Sequence, residues 1–377
     1  MKKIKKLARK IKLYIVSKEP TSKISKTFIV FSYKLVLILF NKYKKRRITI
    51  YEVIKENISV EEYRNKRLTK KLLNEILYCR FMYQIAAVEY FVYEFEKLSH
   101  KGRKQYITRG NKYKFYRKFN NRNYIDYFNN KTETYRKFKE FYGRDAVPIY
   151  DEKDFLAFEK FVQKHPKFMY KPNNDYGGNG IVIYDSSDYS DMNKLFEIII
   201  ENGSCILEEL IVQAPEISKI YPDSVNTLRV VAFSTKDKDI VIQWCFFRMG
   251  MNGNYTDNMS SGGLGCMVDP KTGIIYTTGR DYLGHNHLSH PNTGEMLVGF
   301  QLPKWEEALE MLKTLSQVIP QVRLVGWDLA YTEKGWILIE GNASPQCLTA
   351  QISNYNGRLH QFQQIEEIYN KEVNQIE

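Results

Sequence analysis

The sequence predicts a folded α+β protein with a basic, mainly helical N-terminal region and a sheet-rich C-terminal region. Its 377 residues are 43% hydrophobic and 14% aromatic, which supplies cores for two or three domains and excludes a wholly disordered or low-complexity chain. Apolar residues recur at helical spacing from Glu61 to Phe141 with almost no Gly or Pro. After Pro148 the pattern changes to short β-rich runs separated by Gly, Asn and Asp turns.

Charge divides the chain into two halves. Residues 1–150 carry 38 Lys and Arg against 13 Asp and Glu, whereas the remainder carries 19 against 30. The first 47 residues alone contain 16 basic side chains and one acid, Glu19. Such a density predicts contact with phosphate, anionic lipid or an acidic polymer.

The N-terminal segment 1–47 combines this charge with apolar residues. Residues 1–16 place apolar side chains at helical spacing among lysines, which predicts a basic amphipathic helix. An apolar run, Phe28 to Phe40, and a basic cluster, Lys42 to Arg47, follow. We therefore expect peripheral contact with an anionic membrane, against the alternative of a solvated tail packed on its own domain.

The same segment is not expected to cross a membrane. The run from Phe28 to Phe40 has thirteen residues and includes Lys34, whereas a spanning helix needs about 20. It starts late and lacks a small-residue cleavage site, so a signal peptide is not expected. The cysteines show no CxxC spacing and are expected to be reduced in the cytoplasm, where the protein would lie free or on the inner membrane face. They are Cys79, Cys205, Cys245, Cys266 and Cys347.

A glycine-rich loop follows Lys171 and joins two predicted strands. The segment KPNNDYGGNG contains Gly177, Gly178 and Gly180, whose amides could close over phosphate oxygens while Lys171 supplies charge. Neither a P-loop nor a Rossmann motif is present. A plain hairpin turn is the alternative.

Adjacent acids interrupt a buried-looking strand, ILEELIV. Glu208 and Glu209 need a reason to lie there, and a carboxylate or backbone carbonyl at a strand end can accept the exocyclic amine of adenine. Glu216, shortly afterwards, could bind ribose hydroxyls. Acids on a solvent-facing strand edge are the alternative.

A predicted hairpin, VGWDLAYTEKGWILIEGNASP, carries the strongest local signal. Alternation brings Asp328 on one strand toward Glu340 and Asn342, which share a face of the next. An oxygen-only cluster of this kind suits Mg²⁺ bound to a polyphosphate. A salt-linked hairpin is the alternative, although Glu340 within WILIEG would be costly to bury without a cation.

Basic residues between these segments suit transition-state stabilisation. Arg229 and Arg248 lie in two predicted strands, and Asn258 precedes a glycine pair, Gly262 and Gly263. Together they could stabilise a transferring phosphoryl group and an oxyanion. Arginines that are merely ion-paired are the alternative.

Taken in order, these segments resemble the ATP-grasp superfamily over roughly residues 130–345. Asp328, Glu340 and Asn342 match its D…ExN metal-binding pattern. The resemblance implies that Lys131 and Lys171 are the ATP-binding lysines, with the glycine loop as the phosphate lid. It further implies an adenine hinge formed by Glu208, Glu209, Leu210 and Ile211, with Glu216 nearby. Arg229, Arg248 and Asn258 would be catalytic.

The chain as a whole is most similar to the sugar-transfer-associated ATP-grasp proteins of bacterial surface-polysaccharide synthesis, and more distantly to glutamate ligases of the teichuronopeptide and ribosomal-protein-modifying types. One departure is Gly326, which stands where the D-alanine ligase branch has an arginine. The implied domains are the segment 1–47, a helical domain at 48–130 and an ATP-grasp domain at 131–377, whose lobes meet near residue 212.

The implied activity is that of an ATP- and Mg²⁺-dependent carboxylate–amine ligase that acts through an acyl phosphate, with Mn²⁺ as a second option for the metal. Its substrates would be an acidic sugar or polysaccharide precursor, free or lipid-linked, and an amino acid or amine. The alternatives are a kinase that phosphorylates a glycan hydroxyl and a non-catalytic nucleic-acid or membrane-binding protein. Nucleic acid is the less expected partner, because the Tyr and Lys residues interleaved between Tyr106 and Tyr127 accompany no RNA-binding motif.

One further motif, HNHLSH, has spacing that could bind zinc. Its histidines are His285, His287 and His290. No fourth ligand is evident, so a polar substrate loop or a plain loop is the preferred interpretation.

Overall fold

A computed structural model describes residues 23–173, 180–281, 284–352 and 356–375. It confirms the α+β class, with a helical N-terminal part and two antiparallel sheets. The chain forms two compact units. The first unit contains the described residues up to Phe115 and a short return segment that ends at Gln363; the second unit begins at Tyr116 and takes up the chain again from Gln364.

The helices of the described chain fall mostly before the sheets. They are α1 (Lys23–Leu39), α2 (Tyr43–Asn57), α3 (Val60–Arg64), α4 (Lys66–Tyr83), α5 (Ala87–Val92), α6 (His100–Arg103), α7 (Lys112–Phe119), α8 (Asp126–Asn129), α9 (Lys131–Phe138), α10 (Phe155–Lys164), α11 (Met192–Glu201), α12 (Pro215–Ser218), α13 (Trp305–Val318), α14 (Leu348–Ile352) and α15 (Leu359–Asn374).

Helix α4 is the central element of the first unit. Its N-terminus is capped by Asn65, whose side-chain oxygen accepts hydrogen bonds from the amides of Arg67 and Leu68 at 3.1 Å. The helix ends at Gln84, whose backbone has the left-handed helical conformation. The α4 face that includes Leu73, Ile76 and Leu77 is buried, as the helical spacing of these residues predicts.

The strands of the second unit form two sheets. They are β1 (Ala146–Ile149), β2 (Lys167–Pro172), β3 (Val182–Asp185), β4 (Cys205–Glu209), β5 (Thr227–Ser234), β6 (Ile240–Met249), β7 (Leu264–Val268), β8 (Gly279–Asp281), β9 (Asn286–His287), β10 (Leu324–Thr332) and β11 (Gly335–Asn342). The smaller sheet has the order β1-β4-β2-β3, and the larger has the order β11-β10-β5-β6-β7-β8-β9.

Each sheet has its own core. Helices α10 and α11 pack on the smaller sheet, where Phe158, Phe168 and Phe196 are buried together. Helix α13 packs on the larger sheet, whose core includes Leu228 and Trp327. Because side chains alternate along a strand, the opposite face of the larger sheet presents the polar residues of β5, β6, β10 and β11.

The chain passes from the smaller sheet to the larger through residues 210–212. Gln213 then pairs with Thr332 of β10, and the amide of Ala214 donates to the carbonyl of Tyr331 at 3.0 Å. Arg144 makes a second connection, since it hydrogen-bonds both Glu208 of β4 and the carbonyl of Leu338 of β11. These connections bring the ends of β2 and β4 toward β11.

Residues 116–130 pack with the sheets of the second unit. Asn120 donates to the carbonyls of Leu324 and Ala343 at 2.9 and 2.8 Å, and the ring of Phe128 lies 5.8 Å from that of Trp327. The compact helical unit therefore ends about 15 residues before the boundary predicted at residue 130.

Two further expectations concern the cysteines and the membrane. All five cysteines are buried and form no disulfide. Among the described residues, no helix is long and apolar enough to cross a membrane. The helix predicted at residues 1–16 lies outside the described residues.

Candidate active site

A row of charged side chains crosses four strands on the polar face of the larger sheet. In register, Asp328 of β10 lies between Arg229 of β5 and Glu340 of β11. Arg248, on the neighbouring strand β6, pairs in register with Thr227. The antiparallel order of these strands brings together residues that are up to 111 positions apart in the sequence.

Asp328 is the centre of this row. Both of its carboxylate oxygens accept hydrogen bonds from Arg229, and Oδ2 also accepts from Nη2 of Arg248 at 3.0 Å. Burial opposes ionisation of Asp328, but the two guanidinium groups outweigh it and lower the pKa of this carboxyl. Asp328 is thus an ionised, buried counter-charge for two arginines.

Arg248 has a second set of partners. Its Nε and Nη2 donate to Oγ1 of Thr227 at 3.0 and 2.7 Å, and its Nε lies 3.3 Å from Oδ2 of Asp257. Asp257 also accepts a hydrogen bond from the hydroxyl of Thr227. Several partners therefore fix the orientation of the Arg248 guanidinium.

Glu340 and Asn342 lie at the β11 end of the row. Oε1 of Glu340 is 3.8 Å from Nη2 of Arg229, and the Glu340 side chain is 53% exposed. Desolvation by the surrounding protein and the neighbouring charge of Asp328 raise the pKa of Glu340. Oδ1 of Asn342 accepts a hydrogen bond from the amide of Ser344 at 2.8 Å.

These residues differ in how well they fit a metal ion. Glu340 presents a solvent-accessible carboxylate, and the amide oxygen of Asn342 keeps a second lone pair beside the bond from Ser344. Asp328 is buried and already accepts three guanidinium hydrogen bonds, so less of its carboxylate is open to a metal ion. The predicted roles of Asp328, Glu340 and Asn342 in metal binding stay predictions, and Glu340 and Asn342 fit that role more readily.

The smaller sheet contributes a second buried ion cluster. Nζ of Lys171 donates to Oε2 of Glu208 at 2.7 Å, and the same oxygen accepts from Arg144 at 2.7 and 3.0 Å. Burial opposes ionisation of Glu208, but both cations outweigh it and lower its pKa to about 2. Glu208 therefore holds Lys171 in place, and its predicted contact with adenine stays a prediction.

Lys131 lies close to Lys171 in this part of the fold. Nζ of Lys131 donates to the carbonyl of Pro172, the residue after Lys171, at 2.7 Å. Asn173 continues the contact, because its side-chain oxygen accepts from the amide of Thr132 at 2.9 Å. The structure thus brings together the two lysines that the resemblance implied for ATP.

Of the predicted lid, Gly177 and Gly178 lie outside the described residues, whereas Gly180 has a positive φ of 70°.

The predicted adenine hinge follows β4. Within the described part of the chain, no hydrogen bond involves the backbone of Leu210 or Ile211, so both residues offer backbone groups to a ligand. The carboxylate of Glu209 accepts from the amide of Asp145 at 2.9 Å, and Glu216 is exposed at the start of α12. None of these residues has a contact here that tests its predicted role.

Asn258 precedes a short 3-10 turn next to the row. Its carbonyl accepts hydrogen bonds from the amides of Ser261 and Gly263 at 2.9 and 3.0 Å. A side chain at Gly263 would lie 2.6 Å from the carbonyl of Asp257, so only glycine fits there. This close packing holds Asp257 against Arg248, while the catalytic role of Asn258 stays a prediction.

The three histidines of HNHLSH do not converge. His285 and His287 contact Oδ2 of Asp281 at 2.9 and 3.2 Å, whereas the buried His290 contacts the carbonyl of Gly250 at 2.8 Å. Burial lowers the pKa of His290, which keeps it neutral. The interpretation of this segment as a polar substrate loop or a plain loop stays a prediction.

Two residues that position the site have no signal of their own in the sequence. Arg144 and Asp257 each pair with a predicted site residue, yet neither belongs to a motif. The only signal in the sequence was that a buried Glu208 needs a cation nearby. This signal does not identify which of the many basic residues is the partner of Glu208.

Comparison with known proteins places this geometry in a family. Residues 110–367 match the family described as sugar-transfer associated ATP-grasp, and this match covers more than half of the chain. The protein therefore belongs to the sugar-transfer-associated ATP-grasp family. This assignment confirms the predicted ATP-grasp fold for the two-sheet region. Comparison with curated proteins returned no significant match.

Several solved structures are similar in fold. The ATP-grasp ligase PsnB in complex with a minimal precursor is 10% identical, with 68% of this chain and 63% of that chain covered and a TM-score of 0.41. D-alanyl-alanine synthetase A from Vibrio cholerae is 10% identical, with 66% of this chain and 65% of that chain covered and a TM-score of 0.39. D-alanine–D-alanine ligase from Helicobacter pylori is 16% identical, with 65% of this chain and 61% of that chain covered and a TM-score of 0.38. The chain spans less than two thirds of the length of each of these structures.

Proposed function

We propose that the protein is an ATP- and Mg²⁺-dependent carboxylate–amine ligase that modifies an acidic sugar or a surface-polysaccharide precursor. The observation that carries this proposal is the placement of Arg229, Arg248, Asp328 and Glu340 in one row of the larger sheet, in a chain of the sugar-transfer-associated ATP-grasp family.

ATP would bind between the two sheets. Lys131 and Lys171 would contact its phosphates, and the backbone of Leu210 and Ile211 would contact its base. Glu340 and Asn342 would hold Mg²⁺, which when bound neutralises phosphate charge and orients the polyphosphate. Asp328 would keep Arg229 and Arg248 ionised and oriented toward the reacting groups.

The proposed chemistry has two steps. First, a carboxylate oxygen of the acidic substrate attacks the γ-phosphorus of ATP; a new O–P bond forms, the β–γ bridging bond breaks, and ADP leaves. An amine then attacks the acyl carbon, so that a C–N bond forms, the C–O bond to phosphate breaks, and inorganic phosphate and a proton are released. Arg229 and Arg248 would stabilise the charge on the transferred phosphoryl group and on the tetrahedral oxyanion.

The charge of the chain and the description of its family both support an acidic sugar as the substrate. The N-terminal half of the chain is strongly basic, which favours a uronic acid or another acidic glycan unit, free or lipid-linked. The co-substrate would be an amino acid or another amine. The product would be an amide of the sugar carboxylate.

The test is ADP release by the full chain with ATP, Mg²⁺, a panel of uronic acids and a panel of amino acids. We expect release that requires both a carboxylate and an amine, with the amide detected by mass spectrometry. Glu340→Gln should abolish it, whereas Glu333→Gln, in the exposed β10–β11 turn, should not. Phosphorylated glycan formed without an amine would contradict the ligase and favour the kinase.

A further inference from the structure

Helix α1 presents an exposed row of large apolar side chains. We define this apolar strip as Ile24, Phe28, Phe31, Leu35 and Ile38, whose side chains are between 49% and 82% exposed. Their spacing alternates between four and three residues, so they lie within about 100° of the helix circumference. Leu39, at the end of the same helix, is 74% exposed.

The opposite face of α1 already makes the intramolecular contacts of the helix. Ile29, Val30 and Leu37 are buried. Lys34 donates to Oδ1 of Asn74 in α4 at 2.7 Å, which fixes the rotation of the helix about its own axis. The apolar strip is therefore a second apolar face that the described residues leave uncovered, and contiguous exposed apolar side chains of this kind mark an interaction site.

Basic residues lie at the C-terminal end of the strip. Lys42, Lys44, Lys45 and Arg47 are exposed, and no acidic residue occurs between Glu19 and Glu52. Apolar side chains flanked by cations are the combination by which a helix lies in the headgroup region of an anionic bilayer.

From this combination we infer that the apolar strip and the adjacent basic residues dock the protein on an anionic membrane surface. Docking of the strip onto a second copy of the chain would bring two strongly basic segments together, and their repulsion opposes it. Over its described residues, α1 is not long and apolar enough to span a bilayer. The helix would lie in the plane of the interface over its length of about 25 Å. This inference does not depend on the proposed ligase activity.

The experiment is co-sedimentation of the full chain with vesicles of phosphatidylcholine alone or mixed with phosphatidylglycerol. We expect binding to the anionic vesicles only, weakened by added salt. The triple variant Phe28→Gln, Phe31→Gln, Leu35→Gln should bind at least about tenfold more weakly. The matched control variant replaces three other exposed apolar residues, Leu156, Leu288 and Met296, with Gln. This control should bind the anionic vesicles as the wild type does.

The result that would overturn the inference is equal binding by the triple variant and the wild type, because the strip would then contribute nothing. Absence of wild-type binding to anionic vesicles would overturn it as well. Light scattering provides a third outcome: a dimer of the wild type that the triple variant converts to a monomer would assign the strip to a second copy. Unchanged far-ultraviolet circular dichroism of the triple variant establishes that the substitutions preserve the fold.

Discussion

Arg229 of β5 and Asp328 of β10 face each other across the larger sheet, and the guanidinium of Arg229 hydrogen-bonds both oxygens of the carboxylate. The Asp328 side chain is only 2% exposed, so the pair lies in a low-dielectric environment. Arg248 shares the same carboxylate, while Asp257 lies 3.3 Å from Arg248 and Glu340 lies 3.8 Å from Arg229. These carboxylates fix the orientation of both guanidinium groups, which connects the packing of the sheet to the proposed phosphoryl transfer.

Asp328→Asn should destabilise the protein, since it leaves Arg229 and Arg248 buried without their shared counter-charge. Breaking a buried pair in this way costs about 3–5 kcal/mol. The free energy of unfolding from urea titration measures the effect. Asp237→Asn, in an exposed turn, is the control and should change it by less than about 0.5 kcal/mol. A value for Asp328→Asn within 1 kcal/mol of the wild type would contradict the assigned role.

Glu340→Gln should weaken Mg²⁺-dependent ATP binding by at least about tenfold and leave stability nearly unchanged. The physical reason is that the Glu340 carboxylate is accessible to solvent and would lose a metal ligand rather than a buried partner. Calorimetry of ATP binding with Mg²⁺ and with the metal removed by chelator provides the measurement. Equal affinities for the variant and the wild type in the presence of Mg²⁺ would remove Glu340 from the metal site.

Stability should fall in acid because of Glu208. The folded-state pKa of this carboxyl is about 2, below its ordinary value of 4.5, so the unfolded chain binds the proton first as the pH decreases. The stabilisation is therefore fully present above pH 4.5 and is lost as the pH falls toward 2. Urea titrations between pH 6 and pH 3 should show this decline.

The variant Glu208→Gln isolates that contribution. It should be less stable than the wild type at pH 6 by about 3 kcal/mol, because Lys171 and Arg144 lose their buried counter-charge. Between pH 4.5 and pH 3 its stability should fall less steeply than that of the wild type. Parallel pH profiles for the two proteins would show that Glu208 does not titrate as the structure indicates.

Asn120→Ala should destabilise the second unit by about 2–4 kcal/mol. The Asn120 side chain is buried, donates to the carbonyls of Leu324 and Ala343, and accepts from the amide of Leu324 at 2.8 Å. Removing it leaves two buried carbonyls and one amide without those partners. Thermal unfolding measures the loss, with the exposed Asn123→Ala as the control. Because Ala343 follows Asn342, nucleotide binding should also weaken.

Much of the fold was predictable because local pattern and packing agree. Helical spacing located the α4 core residues, and alternation placed Asp328 and Glu340 opposite each other on the β10–β11 hairpin. The domain boundary was less predictable. Residues 116–130 have the composition of the preceding helices. Their contacts place them with the sheets instead, because Asn120 hydrogen-bonds Leu324 and Ala343, which lie more than 200 positions further along the chain.

The sequence indicated candidate site residues, whose roles stay predictions, but it did not indicate their pairings. The resemblance pointed to Lys131 and Lys171, and the hairpin pattern pointed to Asp328 and Glu340; the structure brings each pair together. The partners of Glu208 and Arg248 could not be read from the sequence, because Arg144 and Asp257 carry no motif and reach the site only through the sheet order.

The sequence by itself determined the α+β class, the division of charge and the candidate ligand residues, since propensity, alternation and residue chemistry are local properties. The tertiary structure alone decided that Asp328 joins two arginines, that Glu208 holds Lys171, and that the described residues leave one apolar face of α1 uncovered. These relationships depend on contacts between distant segments, whose energies arise only after desolvation in the folded chain.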